Sequence, residues 1–113
     1  MIKIKIGNKI LKVKDCTSLV DSGIGLMFHS LNDIDGAIIF GNRIWMPFIK
    51  KPLQLVFLDE KKIVTSVKRA VPMKAHPKTW KVYYDTDARY CLELIKPLKI
   101  KKGMKIKTFS RNL

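Results

Sequence analysis

Cysteine, histidine, arginine and acid are all scarce in this chain. Two cysteines and two histidines stand among 113 residues, and nine carboxylates face 23 lysines and arginines. Cys16 lies in a polar link and Cys91 inside an apolar run, so neither a CxxC redox pair nor a disulfide framework is indicated, and both are expected as free thiols. His29 and His76 are isolated from each other and from the cysteines, with no second ligand nearby to build half a site on one turn. No metal centre and no cofactor is therefore expected. Cys16, Cys91, Ser18, Ser22, Ser30 and Ser66 are the available nucleophiles, and none stands in a nucleophile elbow or comparable signature. Asp33 and Asp35 sit in loop-like sequence and Asp59-Glu60 in a charged turn, where burial cannot separate two carboxyl pKa values for acid–base work. Gly23-Ile24-Gly25 falls at the end of an expected helix and not between strand and helix, so it is no phosphate loop. No apolar run approaches the roughly 18 residues needed to cross a bilayer. Met1 leads straight into Ile2-Lys3-Ile4 with no signal core, so a cytoplasmic protein without a membrane partner is expected.

What the chain has in quantity is lysine and alternation. A net charge of +14 raises the odds of a polyanionic partner, and 47% hydrophobic residues suit one globular domain over residues 1–113. Nearly all the positive charge is lysine. Only Arg43, Arg69, Arg89 and Arg111 can fork onto phosphate or guanine, so sequence-specific base reading is poorly provided for. Lysine beside isoleucine is also a habit of hot-growing hosts, in which charged surfaces serve solubility and ion pairing.

Ile2, Ile4 and Ile6 alternate with Lys3 and Lys5, and Leu11 and Val13 with Lys12 and Lys14, around a Gly7-Asn8 turn. Period two with a tight-turn dipeptide predicts an amino-terminal hairpin with one lysine-covered face. Between Asp15 and Gly25, Ser18 with Asp21 forms a capping pair and the glycines terminate, predicting one short helix. Ala37–Phe40 and Arg43–Met46 flank Gly41-Asn42 as a second expected hairpin. Leu53 to Leu58 is almost uniformly apolar, as a strand buried on both faces should be, and with Ile63 to Arg69 is expected at the centre. Ala70 to Asp87 is a long loop carrying Trp80, Tyr83 and Tyr84. Arg89 to Ile95 is a strand, and Leu98 to Phe109 a third lysine-rich hairpin about Lys102-Gly103. If the two ends of the chain neighbour each other, Lys3, Lys5, Lys12, Lys14, Lys99, Lys101, Lys105 and Lys107 make one basic surface.

Gly25-Leu-Met-Phe-His29, Asp35-Gly-Ala-Ile-Ile-Phe40, Ile44 to Asp59 (IWMPFIKKPLQLVFLD) and Ala88-Arg-Tyr-Cys-Leu-Glu-Leu94 together resemble domain-of-unknown-function family 192. That family consists of small prokaryotic proteins with no agreed activity. The resemblance implies an α+β, mostly β domain: a small β-barrel or β-roll of antiparallel and mixed strands with one short helix. It covers about residues 18 to 109, with Leu26, Met27, Trp45, Met46, Pro52, Phe57, Asp59, Pro72, Tyr90, Leu92 and Glu93 matching. Most of these are structural: Met27, Trp45, Leu55 and Phe57 as core, Asp59 as the cap of a turn, Glu93 as the partner of a nearby lysine. His29 stands where the family commonly has Arg, Gln54 where it has Asp, Pro47 where it has a polar residue and Met104 where Asp often follows Gly. An ion pair there would be lost and hydrogen bonding kept, a change that binding survives better than catalysis.

The leading expectation is thus a non-enzymatic binding module for an unknown small ligand. Its shallow site would involve Met27, His29, Arg43, Trp45 and Gln54, overhung by a loop carrying His76 and Trp80. The alternative is a nucleic-acid-binding β-barrel, holding RNA or DNA on the lysine face with loop aromatics as stacking platforms. An enzyme comes third, and would need His29 or His76 bonded to a buried carboxylate or to Cys91.

Overall fold

The structure, a computed structural model, describes residues 2–16, 35–45, 52–71 and 82–109. They form nine strands: β1 (Ile2–Ile6), β2 (Lys9–Cys16), β3 (Gly36–Phe40), β4 (Arg43–Trp45), β5 (Leu53–Leu58), β6 (Val64–Ala70), β7 (Val82–Tyr84), β8 (Tyr90–Leu94) and β9 (Lys107–Phe109). Seven make one mixed sheet in the order β6-β5-β8-β3-β2-β1-β9, and β4 pairs with β7 in a separate ribbon. Only β2 and β3 run parallel. The fold is mostly β. The ladder does not close into a continuous barrel: its end strands meet at one corner, where Ile63 bridges Lys105 and the Ile106 N–H donates to the Lys62 carbonyl at 3.0 Å. Among the described residues no helix is long and apolar enough to cross a membrane.

The amino-terminal hairpin forms as its alternation requires. Gly7, at φ 57°, supplies the left-handed turn, and Ile4, Ile6 and Val13 are buried while Lys3, Lys5 and Lys12 are exposed. Three expectations are corrected. Gly41-Asn42 is not a hairpin turn, because β3 pairs with β2 and β8 whereas β4 pairs with β7. The dipeptide carries the chain from one sheet to the other, and the Gly41 and Asp85 N–H groups donate to the Arg89 and Asn42 carbonyls. Residues 98–101 form no strand, so the carboxy-terminal hairpin reduces to β9 and the bridge at Lys105. Finally, β5 is internal as expected but β6 is an edge. Of the segment expected as a helix, Asp15 and Cys16 continue β2, and the remaining residues lie outside those described.

Two cores sit on opposite faces of the large sheet. Ile4, Ile6, Val13, Ile38, Val56, Leu58, Leu92, Leu94 and Ile106 share one face, which runs the width of the sheet from β5 to β1. The other face carries Ala37, Ile39, Leu53, Leu55, Phe57 and Cys91, joined by Tyr83 of the β4–β7 ribbon. That second core stops at β3. On β2, β1 and β9 the same face carries Lys3, Lys5, Lys12 and Lys107 with the exposed Ile10 among them, because β1 and β2 alternate while β5 and β8 do not. Fully burying a side chain of this size stabilises by about 1.5–3 kcal/mol, so the two-sided strands contribute more apolar free energy per residue than the alternating ones.

Gly36 lies where β3 passes β8 most tightly: a Cβ there would stand 2.0 Å from the Glu93 carbonyl oxygen and 3.2 Å from the Leu94 Cα. Gly36→Ala must therefore push backbone from backbone, and we expect it to lower unfolding free energy by about 1–3 kcal/mol. Phe57→Ala, at full burial, should cost about 3–5 kcal/mol. Urea denaturation of both variants checks the pair; an unchanged midpoint for Gly36→Ala would contradict the packing.

Candidate functional site

The adjacency that a shared lysine surface would require is present. β1 lies between β2 and β9, so the two ends of the chain are neighbours. Lys3 pairs directly with Lys12, and Lys5 with Lys107, while Lys14 follows on β2 opposite Ala37. Lys3, Lys5, Lys12 and Lys107 are exposed and Lys14 is half-buried. Lys105, also exposed, precedes the buried Ile106 and continues the row, whereas Lys99 and Lys101 are exposed off the sheet on the segment before the Lys102-Gly103 turn. Directly opposed like charges destabilise a ladder by some tenths of a kcal/mol each. An acid stands beside this row: one Asp35 carboxylate oxygen accepts the Lys12 backbone N–H at 2.8 Å.

A cleft of about 550 Å³ opens at the opposite end of the sheet, lined by Pro52, Leu53 and Gln54, by Val67, Lys68 and Arg69, and by Ile95 and Pro97. Gln54 and Arg69 are cross-strand partners there. The Gln54 side chain is fully engaged in structure: its Nε2 donates to the Leu98 carbonyl at 2.8 Å, and its Oε1 accepts the Leu98 N–H at 2.9 Å. It holds the chain after β8 against β5 and so shapes the cleft. Of the other residues expected at a ligand site, Arg43 is exposed on β4 opposite Tyr84, Trp45 occupies the β4 position opposite Val82, and Met27, His29, His76 and Trp80 lie outside the described residues. Within the expected aromatic loop, Tyr83 is buried, its hydroxyl accepting the Val71 N–H at 3.0 Å, and Tyr84 is 57% exposed.

Sequence reasoning missed a polar cluster on the second core face. Between β5 and β6 the register shifts, with Phe57 opposite Ser66 but Leu58 opposite Val64, leaving Thr65 as an inserted residue. A bulge of this kind re-aims side chains. Here both hydroxyls turn to one carboxylate oxygen: Thr65 Oγ1 and Ser66 Oγ donate to Asp85 Oδ2 at 2.7 and 2.5 Å, and the Asp87 N–H donates to Oδ1 at 2.9 Å. Lys68 Nζ donates to the Tyr84 carbonyl and lies 5.1 and 5.7 Å from the Tyr84 and Phe57 ring centroids. Burial works to raise the Asp85 pKa, but the bonds from Ser66, Thr65 and Asp87 and the charge of Lys68 outweigh it and hold the carboxyl below its ordinary value. The cluster ties β7 to β6. Asp59 performs the capping expected of it, its Oδ1 accepting the Lys61 and Ile63 N–H groups at 2.8 and 3.0 Å.

Glu93 corrects the remaining expectation. Among the described residues it pairs with no lysine: it is 4% exposed, and its Oε1 has no hydrogen-bond partner there. The row across the sheet explains why. From β2 to β6 it runs Lys14, Ala37, Glu93, Leu55, Lys68, so each lysine backbone stands two strands, roughly 10 Å, away. Burial pushes the Glu93 carboxyl up to about 7 from its ordinary 4.5. Cys91, on the same face two residues earlier, has its thiol pushed well up by burial and by the Glu93 charge, which disfavours the thiolate a nucleophile needs. Among the described residues no three His, Cys, Asp or Glu side chains gather as a metal site requires.

Comparison with known proteins agrees with this picture. The model of the DUF192 family, described as Uncharacterized ACR, matches residues 2–108. No curated protein matches the chain. Among solved structures, a Sinorhizobium meliloti 1021 protein described as a candidate transcription regulator superposes with a TM-score of 0.72 at 17% identity, covering 95% of this chain and 91% of its own. A protein of unknown function from Novosphingobium aromaticivorans DSM 12444 gives 0.74 at 19% identity, covering 94% and 84%. At these identities the likeness is one of fold.

Glu93 makes a pH prediction of definite sign. Below about pH 4.5 folded and unfolded states are both protonated at this group; as pH rises towards 7 only the unfolded chain ionises, so stability falls by on the order of 3 kcal/mol and then levels. Replacing the group by Glu93→Gln should remove that decline, leaving the variant more stable than the parent at pH 8. Denaturation midpoints across pH 4 to 8 decide it, and a parent–variant difference that does not grow with pH would be contrary.

Proposed function

The chain belongs to domain-of-unknown-function family 192, and we propose that this member is a non-enzymatic nucleic-acid-binding protein that holds the phosphate backbone on its lysine face. The observation that carries this is the pair of opposed lysines, Lys3 with Lys12 and Lys5 with Lys107, on one exposed sheet surface. A surface that sets ammonium groups directly against each other is disfavoured in the free protein and relieved by a polyanion. The net charge of +14 acts in the same direction at longer range. Lysines give point charges and not planar forks, so they suit phosphates and read no bases, and binding independent of sequence follows.

The inert surroundings of Cys91 support a binding role over catalysis. The transcription-regulator description given to the similar Sinorhizobium meliloti protein is in keeping with this reading. A cytoplasmic location belongs to the same proposal, since a reduced thiol such as Cys91 and nucleic acid coexist there. So does a barrel-like curl of the sheet, supported by the Ile63–Lys105 bridge between its two ends.

Fluorescence anisotropy with a mixed-sequence DNA duplex of about 20 base pairs, and an RNA duplex of the same sequence, tests the proposal. With about four phosphate contacts, affinity should fall on the order of 100-fold between 50 and 200 mM salt, equally for unrelated sequences. The quadruple variant Lys3→Glu, Lys5→Glu, Lys12→Glu, Lys107→Glu should fold and lose binding. A salt effect of only a few fold, or a quadruple variant that still binds, would overturn the assignment.

A further inference from the structure

We propose that the cleft at the Gln54 end of the sheet is a binding site for a small amphipathic monocarboxylate, its carboxylate held by Arg69 and its apolar chain or ring lying along Val67 and Pro97. This goes beyond the nucleic-acid reading and is independent of it, because it uses none of the ladder lysines. The volume, about 550 Å³, falls within the range of ordinary small-molecule sites. Position supports it as well. Gln54 and Arg69 share the face that buries Val56, Leu58 and Leu92, so the cleft is the mouth of the apolar interior at the rim where β5 begins and β6 ends.

The lining chooses the ligand class. Its walls are apolar, Pro52, Leu53, Val67, Ile95 and Pro97, and among the described residues no acid contributes. Lys68 spends its ammonium on the Tyr84 carbonyl and two aromatic faces, which leaves Arg69 as the available cation among the described lining residues. Arg69 is exposed, and among the described residues nothing pairs with its guanidinium. A planar fork bearing one positive charge matches a planar carboxylate bearing one negative charge; a phosphate dianion would call for more donors than this rim supplies. The site is also preformed. The two Gln54 bonds to Leu98 fix the segment after β8, so little ordering accompanies binding.

An NMR titration of the full chain with octanoate tests this, with octylamine and inorganic phosphate as parallel probes. The expected result is saturable shifts at the amides of Gln54, Val67, Arg69 and Ile95 with octanoate alone. Arg69→Ala should weaken binding about tenfold or more, as loss of a charge-assisted pair does. Val67→Trp should abolish it by filling the cleft while Arg69 remains, and the quadruple lysine variant should bind octanoate as the parent does. Absence of shifts at those amides, equal binding by the Arg69→Ala variant, or equal saturation by octylamine or phosphate would overturn the proposal.

Discussion

Burial of β5 and β8 on both faces is the constraint on which the rest of the molecule depends. Val56 and Leu58 face one core while Leu55 and Phe57 face the other, and Leu92 and Cys91 divide likewise on β8. A strand apolar on both sides must be covered twice. The curled sheet itself, closing β1 and Ile106 back towards β5, supplies one cover; the β4–β7 ribbon, through Tyr83, contributes to the other. Once those strands occupy the middle, the alternating strands are displaced to the wing, where one apolar face is all they need.

That division creates an asymmetry of charge. The wing of β2, β1 and β9 turns its second face outwards, and since every outward position described on β1 is lysine, charge accumulates in register rather than at random. Directly opposed lysines are a cost borne by the folded state, of the kind that proteins retain where a partner of opposite charge removes it. Three carboxylates are committed elsewhere, Asp59 to a turn, Asp85 to two hydroxyls and Glu93 to the interior, while Asp35 stands at the Lys12 backbone.

The polar groups inside the fold are few, and each has a mechanical consequence. Gln54 gives both ends of its amide to Leu98 and thereby fixes the segment after β8 beside the cleft it lines. The bulge at Thr65 turns two hydroxyls onto Asp85 and anchors the ribbon to the sheet edge. Glu93 is the exception. Its unpartnered oxygen makes the centre of the second core sensitive to pH in the neutral range, while its carbonyl blocks any side chain at position 36.

Much of this was legible in the chain. Strict alternation in Ile2–Ile6 determined a half-buried strand with a lysine face, Gly7-Asn8 its turn, the unbroken apolar run Leu53–Leu58 a strand covered twice, and Asp59 the cap that follows it. These are local properties, set by backbone dihedrals, the two-residue side-chain period and bonds reaching a few residues. Ladder partners are not local. Gly41-Asn42 has the composition of a hairpin turn, yet β3 found β8 and β4 found β7, because a strand takes the neighbours that bury its faces and satisfy its backbone. The adjacency of β1 and β9, the row that isolates Glu93 from lysine and the cleft between Gln54 and Arg69 are all products of that choice. The sequence by itself determined which residues form strands and how much positive charge they carry; only the tertiary structure decided which strands touch, and so where the charge stands in register and where a carboxyl is left without a partner.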